Sequence, residues 1–300
     1  MTKPSFLIIG AAKSATTNLH ALLCAHPHVF APEQKELWYF ARDHLYQRGM
    51  SWYLDFFKET APDQITGESS TGYSMHGRHP HASERIAQDL PDARLIYIVR
   101  HPLDRLESSW KTDTYLGITE KLTFATAIRD DADRWADPGL YWKQINLYRR
   151  FFPDERILVL FFDEYKRDPV THIQRCYEFL GIDAGFAPDN RKRNQNASSR
   201  YRSLPGWFQK AVRNPLFLGV YRAMPYGSQR HARKALLKFF NQSRRFIGRN
   251  VEAPVWTDES RKWAANYYRE DAAAFLEFYG KPRDYWDLDA PVAATGQGSA

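Results

Sequence analysis

The sequence predicts an α/β domain in which a central parallel β-sheet is flanked by helices, and three observations support this prediction. Three short apolar runs do not alternate with polar residues, which is typical of strands that are buried on both faces. Each run is followed by a turn and then by a stretch with helical spacing, and this order indicates βαβ units. Ligands of such sheets bind beyond the carboxyl ends of the strands, so the loops after the three runs are the places to look for chemistry. The runs are Phe6–Ile9, Leu95–Val99 and Ile157–Phe162.

A helix is predicted after each strand, and a further amphipathic helix is predicted near the C-terminus. The third helix is expected to end at Gly181, because glycine is favoured directly after a helix C-terminus. The predicted helices are Thr17–Cys24, Leu103–Trp110, Pro169–Leu180 and Arg261–Tyr279.

The 300-residue chain is predicted to form one domain over residues 1–289, with a basic helical insertion at about 191–255 and a disordered tail at 290–300. Cys24 and Cys176 are the two cysteines, which excludes a disulfide framework and favours a reducing compartment. The first apolar run is too short for a signal peptide, and no stretch reaches the length of about 18 apolar residues that would suggest a membrane span. The sequence therefore predicts a cytoplasmic protein.

The net charge of +7 favours anionic partners, but it does not choose among a nucleotide, a nucleic acid, an acidic sugar and a membrane surface. Aromatic residues make up 15% of the chain, and aromatic faces suit stacking on a base or a sugar. The basic insertion mixes Arg and Lys with Phe residues, so it fits a lid, an acidic-glycan groove or peripheral contact with a membrane surface. A solvated helical face is the commoner explanation of such a pattern.

The loop after the first predicted strand has the features of an anion cradle. Lys13 supplies a point charge, hydroxyls come from Ser14, Thr16 and Thr17, and the N–H groups at a helix start favour negative charge. The triphosphate-binding pattern G-x-x-x-x-G-K-[ST] does not fit, because two residues separate Gly10 from Lys13 and no glycine precedes the lysine. A strand–turn–helix with a solvated lysine is the structural alternative.

A second candidate phosphate site follows the second predicted strand. Arg100 stands directly at the strand end, and Ser108 lies eight residues later in the predicted helix. A guanidinium can bind a phosphate with two hydrogen bonds, and a hydroxyl can donate to the same group. Taken alone, this pair is more simply an arginine at the sheet end and a packed serine; beside the first loop it predicts a second phosphate site.

The segment PEQKELWYF supplies a candidate base. Glu36 lies among aromatic residues, and such a setting can raise the pKa of a carboxyl group and suit it to general-base catalysis. An exposed glutamate at the start of an amphipathic stretch is the alternative. His76, which follows GESSTGYSM, is the second candidate for the base.

The three segments resemble those of sulfotransferases that use 3′-phosphoadenosine-5′-phosphosulfate (PAPS), in the motif style of the carbohydrate, heparan-sulfate type. KSATT is similar to the family's K-[ST]-G-T-T loop for the 5′-phosphosulfate, with Ala15 where Gly is usual. RHPLDRLES is similar to the motif that holds the 3′-phosphate, and KELWYF to the K-E-x-x-[FY]-F segment that carries the catalytic glutamate. GESSTGY resembles G-E-K-[ST]-P-x-Y, with Ser69 in place of the frequent lysine and Arg78 as a candidate replacement.

This resemblance implies a P-loop nucleoside-phosphate-kinase-like fold and transfer of a sulfuryl group from PAPS, without a metal, to a hydroxyl or amine of an acceptor. The acceptor is expected to be a carbohydrate, a glycolipid or another small molecule. Nucleic acid is not an expected partner, and the oligomeric state is not predicted. Glu36 and Lys13 are the implied catalytic residues. The implied cofactor-binding residues are Lys13, Ser14, Ala15, Thr16, Thr17, Asn18, Arg100, Ser108, Arg200 and Arg202.

Two rival functions remain open on the sequence. One is a metal-dependent small-molecule kinase that uses Lys13 and, after the third strand, Asp163 as a magnesium ligand. The other is a non-enzymatic nucleic-acid-binding module built on the basic, aromatic residues 191–249, although no recognised nucleic-acid motif supports it.

Overall fold

The computed structural model describes residues 2–115, 119, 123–188, 202–203, 249–250 and 254–290. A five-stranded sheet with the order β2-β3-β1-β4-β5 lies at the centre, and all of its neighbouring strands are parallel. The predicted fold class is therefore confirmed. The strands are β1 (Phe6–Gly10), β2 (Val29–Phe30), β3 (Ile65–Ser69), β4 (Arg94–Val99) and β5 (Ile157–Phe161).

The three predicted strands are β1, β4 and β5, and each lies within one residue of its predicted bounds. β1 and β4 sit in the middle of the sheet, and every residue of β1 is buried. Phe162 was predicted to end the third strand, but it begins a helix, because the chain turns directly after β5.

β3, which the apolar pattern does not reveal, lies between β2 and β1. Its sequence, ITGES, mixes polar residues with one apolar residue, although all but the first residue are buried or nearly so. Gly67 is required there by close packing, because a Cβ at this position would fall 2.5 Å from the carbonyl oxygen of Phe6. The strand is stabilised by its neighbours rather than by its own hydrophobicity.

Helices flank the sheet, and the four predicted ones are present as α1, α5, α10 and α11. The last helix begins before its predicted start, because Thr257 and Ser260 form a capping box at its N-terminus. The helices are α1 (Thr16–Leu23), α2 (Asp43–Tyr46), α3 (Met50–Leu54), α4 (Ala82–Asp89), α5 (Pro102–Tyr115), α6 (Phe124–Asp130), α7 (Ala132–Trp135), α8 (Tyr141–Arg149), α9 (Phe162–Arg167), α10 (Pro169–Leu180) and α11 (Asp258–Phe278).

Alternate residues of the central strands face two hydrophobic cores. Ile8 and Ile96 pack with α1 and α10 on one face of the sheet, whereas Leu7 and Leu95 pack with helices that include α5, α8 and α11 on the other. Since all five strands run in the same direction, their carboxyl ends share one edge. That edge carries the loops predicted to be functional.

The predicted basic insertion lies mostly outside the described residues. Within it, β6 (Arg202–Ser203) and β7 (Arg249–Asn250) form a short antiparallel pair beside α5. The predicted tail, apart from Ala290, lies outside the described residues as well, so both remain predictions. No described helix combines the length and the apolar character needed to cross a membrane.

Candidate active site

The loop between β1 and α1 leaves the centre of the sheet. Lys13 and Ala15 adopt left-handed backbone conformations there, with φ angles of 72° and 66°. Ala15 is the N-cap of α1, so the N–H groups of Thr16 and Thr17 at the helix start lie next to this loop, whereas the N–H of Asn18 donates to the Ala15 carbonyl at 3.0 Å. The loop thus needs a positive φ at the position where glycine would be free of strain, and Ala15 adopts it at an energetic cost.

The hydroxyl of Ser14 is suited to a ligand. Ser14 is fully buried, and within the described part of the chain its Oγ has no hydrogen-bond partner. A buried hydroxyl without a partner costs free energy unless another group satisfies it. Thr16 is buried beside it and Thr17 is exposed. This loop therefore fits an anionic group that would accept hydrogen bonds from the Ser14 hydroxyl and the helix start.

Asn18 connects α1, the helix after this loop, to α9, the helix after β5. The hydroxyl of Tyr165, in α9, donates a hydrogen bond to Oδ1 of Asn18 in α1. The sequence did not single out Tyr165, since nothing in a helical tyrosine signals a partner 147 residues away.

Arg100 lies directly after β4, as predicted, and three contacts hold it. Its guanidinium lies over the ring of Phe162, 4.9 Å from the centroid, and donates to Asp104 at 3.2 Å. The hydroxyl of Tyr141 accepts from the backbone N–H of Arg100 at 3.3 Å and donates to its carbonyl at 2.7 Å. Nε of Arg100 is buried and has no partner among the described residues, so this guanidinium retains a donor for a second anionic group.

The two predicted phosphate motifs lie side by side. β1 and β4 are adjacent, with Gly10 opposite Tyr97, so the loop of Lys13 and the residue Arg100 leave neighbouring strands at the same edge. Ser108 follows two turns into α5, with a partly buried side chain. The backbone of Arg202 lies in β6, beside α5, and Arg200 lies outside the described residues. The roles of these arginines remain predictions.

Glu36 lies at the same edge on the other side of β1, where β3 ends. Its backbone N–H donates to the carbonyl of Ser69 at 2.9 Å, and Thr71 donates its N–H to the carboxylate at 2.9 Å and its hydroxyl at 3.3 Å. Lys35 Nζ lies 2.6 Å from Glu36 Oε1. The glutamate side chain remains 26% exposed, which leaves it accessible to an acceptor.

The aromatic residues next to Glu36 in the sequence do not surround its carboxylate. Tyr39 and Phe40 are buried in the core, where Tyr39 stacks on Tyr53 with ring centroids 4.5 Å apart. The contacts of the carboxylate are polar, from Lys35 and Thr71. Hydrogen bonds and a cation, rather than an aromatic setting, therefore define the environment of the candidate base.

His76, the second candidate base, is anchored toward α8. Its backbone N–H donates to Oε1 of Gln144 at 2.9 Å. Burial, followed by the ammonium of Lys143, lowers the pKa of His76, and the other charges that influence it are Asp137, Glu84 and His81. These groups belong to α4, α8 and the turn before α8, so His76 lies in a different electrostatic neighbourhood from the loop of Lys13. Arg78 is exposed nearby, while Ser69 is buried.

Asp163, the candidate metal ligand of the kinase alternative, is the second residue of α9 and is exposed. Burial lowers the pKa of His101 and raises that of Tyr285, and the charge of Asp163 is a smaller influence on both, which places Asp163 near these two residues. The residue before it, Phe162, supplies the ring under Arg100.

The sequence missed the groups that hold the predicted residues in place. Thr71, Tyr141 and Phe162 contact the predicted residues through space, and their partners lie far away in the chain. The segment GESSTGY was the available signal for Thr71, because it resembles a family segment.

The chain is similar in sequence to known sulfotransferases. A family model described as "Sulfotransferase domain" matches residues 3–201. Human bifunctional heparan sulfate N-deacetylase/N-sulfotransferase 3 is 30% identical over 200 residues, covering 60% of this chain and 22% of that protein. Human heparan sulfate glucosamine 3-O-sulfotransferase 6 is 30% identical over 186 residues, covering 60% of this chain and 52% of that protein. The chain thus spans between about a fifth and about half of the length of these curated relatives.

A solved structure shares the fold. The crystal structure of a sulfotransferase from Alicyclobacillus acidocaldarius matches with a TM-score of 0.66 and 20% sequence identity, over 96% of this chain and 100% of that chain. The likeness extends over the sheet and its helices, which supports the architecture described above.

Proposed function

The chain belongs to the sulfotransferase family, and on that premise we propose that it transfers a sulfuryl group from PAPS to a hydroxyl or amine of an acceptor. One observation carries this proposal. Lys13 and Arg100 follow the adjacent strands β1 and β4, and the backbone of Glu36 is bonded to the last residue of β3, so an ammonium, a guanidinium and a carboxylate lie along one edge of the sheet. In parallel sheets this edge is where ligands bind.

Two groups of residues would hold the donor. Lys13, the hydroxyl of Ser14 and the backbone N–H groups from Ala15 to Thr17 would form the cradle for the 5′-phosphosulfate. Arg100 and Ser108 form the site for the 3′-phosphate, with Arg200 and Arg202 as further contacts. The Ser14 hydroxyl and Arg100 Nε, neither of which has a hydrogen-bond partner in the part of the chain that the structure describes, support this division, because each lies in one of the two groups.

PAPS would supply the sulfuryl group, and the protein would supply positioning and charge. Glu36 takes the proton from the acceptor nucleophile. Lys13 and the start of α1 stabilise the negative charge that grows on the leaving phosphate. The Thr71 N–H and hydroxyl and the Lys35 ammonium hold the Glu36 carboxylate, and the 26% exposure of the glutamate side chain leaves it accessible to the incoming nucleophile.

A carbohydrate or glycolipid is the acceptor class we propose. Both relatives are named for heparan sulfate, and the family match over residues 3–201 includes the segment that carries Glu36. Other small acceptors with a hydroxyl or amine fit the same chemistry. Neither a nucleic-acid partner nor a metal is part of the proposal, and a cytoplasmic location remains a prediction.

Calorimetry with 3′-phosphoadenosine-5′-phosphate, compared with AMP and ATP, tests the proposal. A charge-assisted hydrogen bond contributes about 1.5–3 kcal/mol, so two such contacts to the 3′-phosphate predict a preference over AMP on the order of a hundredfold or more. Arg100→Ala should abolish this preference. Equal binding of AMP and the bisphosphate would contradict the proposed second phosphate site.

The kinase alternative has its own signature. If Asp163 holds a magnesium ion, turnover requires the metal and stops in EDTA. Sulfuryl transfer as proposed here continues in EDTA, because Lys13 and the helix start supply the positive charge.

A further inference from the structure

Glu68 is a buried carboxyl that the proposed reaction does not use. It lies in β3 and is 1% exposed. Three hydroxyls donate to it: Ser70 Oγ to Oε2 at 2.7 Å, Tyr53 to Oε1 at 3.3 Å, and Tyr73 to Oε1. This set of donors satisfies most of the acceptor capacity of a carboxylate.

The position of Glu68 is costly for the fold. Burial raises its pKa to about 7; hydrogen bonds from Tyr73, Ser70 and Tyr53 lower it, while the charge of Glu36 raises it further. Replacing a buried charged group with an apolar residue of similar volume is often neutral or stabilising, so packing alone does not account for an acid here. The role of Glu68 therefore lies in what its carboxyl holds.

The carboxyl orients a hydroxyl that binds the loop of the candidate base. Because the one proton of the Ser70 hydroxyl is donated to Glu68, the hydroxyl must present a lone pair elsewhere. That lone pair accepts the backbone N–H of Trp38 at 3.1 Å. The backbone N–H of Glu36 donates to the carbonyl of Ser69, the residue before Ser70.

This loop needs such support because its backbone is strained. Glu36 and Trp38 both have left-handed φ angles, 61° and 59°, which residues other than glycine rarely adopt. Conformations of this kind cost about 1–3 kcal/mol each and persist only where the surroundings hold them. The Ser69 carbonyl and the Ser70 hydroxyl are bonded to the N–H groups of these two residues.

We propose that Glu68 is a positioning residue: by orienting the Ser70 hydroxyl onto the Trp38 amide, it maintains the loop conformation that presents the Glu36 carboxylate to the acceptor. The inference deepens the proposed function and rests on Glu36 as the base. It assigns no contact of Glu68 with the donor or the acceptor.

Ser70→Ala and Glu68→Gln test this role, with Thr66→Val as the matched control. Thr66 lies on the same strand, is fully buried, and has a hydroxyl without a partner among the described residues. Each variant is measured for kcat, for the Kd of 3′-phosphoadenosine-5′-phosphate, and for hydrogen exchange at the Trp38 amide. Small misplacements of a reacting group cost up to about a hundredfold in rate, so kcat should fall about ten- to a hundredfold. Bisphosphate affinity should stay within about twofold of wild type, and Trp38 exchange should accelerate, whereas Thr66→Val should change none of the three.

The outcomes separate this inference from the proposed base. The positioning role is overturned if Ser70→Ala and Glu68→Gln leave kcat and Trp38 exchange unchanged, as Thr66→Val does. It is also overturned if kcat and bisphosphate affinity fall together. If exchange accelerates but Glu36→Gln retains full activity, Glu68 still holds the loop and the base lies elsewhere. Should Ser70→Ala not fold, Ser70→Cys keeps the volume and replaces the hydroxyl with a weak hydrogen-bonding group, and the same three measurements decide.

Discussion

Two loops at one edge of the sheet use the same uncommon backbone for different purposes. The loop after β1, called here the phosphate loop (residues 11–17), has left-handed φ angles at Lys13 and Ala15. The loop before α2, called here the base loop (residues 35–41), has them at Glu36 and Trp38. In both, alternate residues are strained while the residue between them, Ser14 or Leu37, is buried.

The loops differ in how their polar groups are satisfied. In the phosphate loop the buried hydroxyl of Ser14 has no partner within the described residues. In the base loop, protein groups on β3 and after it satisfy the Glu36 carboxylate and the Trp38 amide. The first loop therefore leaves a hydroxyl donor available to a ligand, whereas the polar groups of the second are already held by the protein.

The largest effect that this comparison predicts comes from the group that the base loop presents. Glu36→Gln keeps the shape and the hydrogen bonds from Thr71 but cannot accept the acceptor's proton, so the rate should fall about 10²–10⁴-fold for a hydroxyl acceptor. The acid limb of the pH–rate profile should disappear in the variant, because a general base must be ionised. Steady-state kinetics over pH, with calorimetry of the bisphosphate, measure both effects; the affinity should barely change.

His76→Asn is the companion variant. The imidazole of His76 lies near Lys143 and Asp137. Removing it should therefore leave the acid limb of the pH–rate profile in place. Near-wild-type turnover in Glu36→Gln together with an inactive His76→Asn would assign the base to His76. The proposal of a carbohydrate acceptor would then lose its main support.

The same contrast explains how much of the site could be predicted from the sequence. The phosphate loop was predictable because its chemistry is local: a lysine, hydroxyls and a helix start lie within a few residues of one another. Glu36 was predicted through its motif, but its setting was not, since Thr71 is 35 residues away and Ser70 reaches Trp38 across 32 residues. An isolated sequence pattern holds no information about which hydroxyl meets which amide.

The fold shows the same division. β1, β4 and β5 were predicted because buried strands of a parallel sheet are apolar along their whole length. β3 was not predicted, because it carries polar residues. Glu68, on this strand, is buried among hydroxyl groups, including that of Ser70 just after the strand, instead of among apolar groups. The residues that make the strand unrecognisable are thus the ones that hold the base loop.

A second test addresses the phosphate loop. Lys13→Ala should lower kcat by about 10²–10³-fold, the range observed for removal of one preorganised donor to a developing charge. The physical reason is that the ammonium interacts more strongly with the leaving phosphate in the transition state than with the bound donor. Single-turnover and steady-state kinetics measure it. A variant that changes KM alone would mean that Lys13 binds the ground state and the transition state equally.

The buried carboxyl beneath the base loop predicts a pH effect on stability. The folded pKa of Glu68 is about 7, above its ordinary value of 4.5, so between these pH values the folded protein retains a proton that the unfolded chain releases. The free energy of unfolding should therefore fall as pH rises through this window, on the order of 3 kcal/mol in total, and the contribution should be constant above it.

Glu68→Gln provides the reference for that measurement. Denaturant unfolding of both proteins from pH 4 to pH 8 should give curves whose difference changes with pH, with wild type losing stability relative to the variant. Parallel curves would show that Glu68 is not protonated in the folded state at pH 5–6. The phosphate loop contains no carboxyl group, so it should contribute no comparable change in the free energy of unfolding over this pH range.

The smallest effect distinguishes the strain in the two loops. Ala15→Gly removes the Cβ from a left-handed position, which relieves about 1–2 kcal/mol, and the added freedom of the unfolded chain offsets about 0.5–1 kcal/mol of that gain. A net stabilisation of about 0.5–1 kcal/mol should appear in denaturant unfolding without ligand. Ala21→Gly, in the middle of α1, is the matched control and should lose about 1 kcal/mol, because glycine weakens a helix interior. Trp38→Gly, by contrast, should not stabilise the protein. The guanidinium of Arg42 lies 4.5 Å from the centroid of the Trp38 ring, which also packs against His79, and both contacts would be lost. If Ala15→Gly loses as much stability as Ala21→Gly, the phosphate loop does not hold the left-handed conformation before a ligand binds, and the contrast between the two loops would lie in their backbones as well as in their partners.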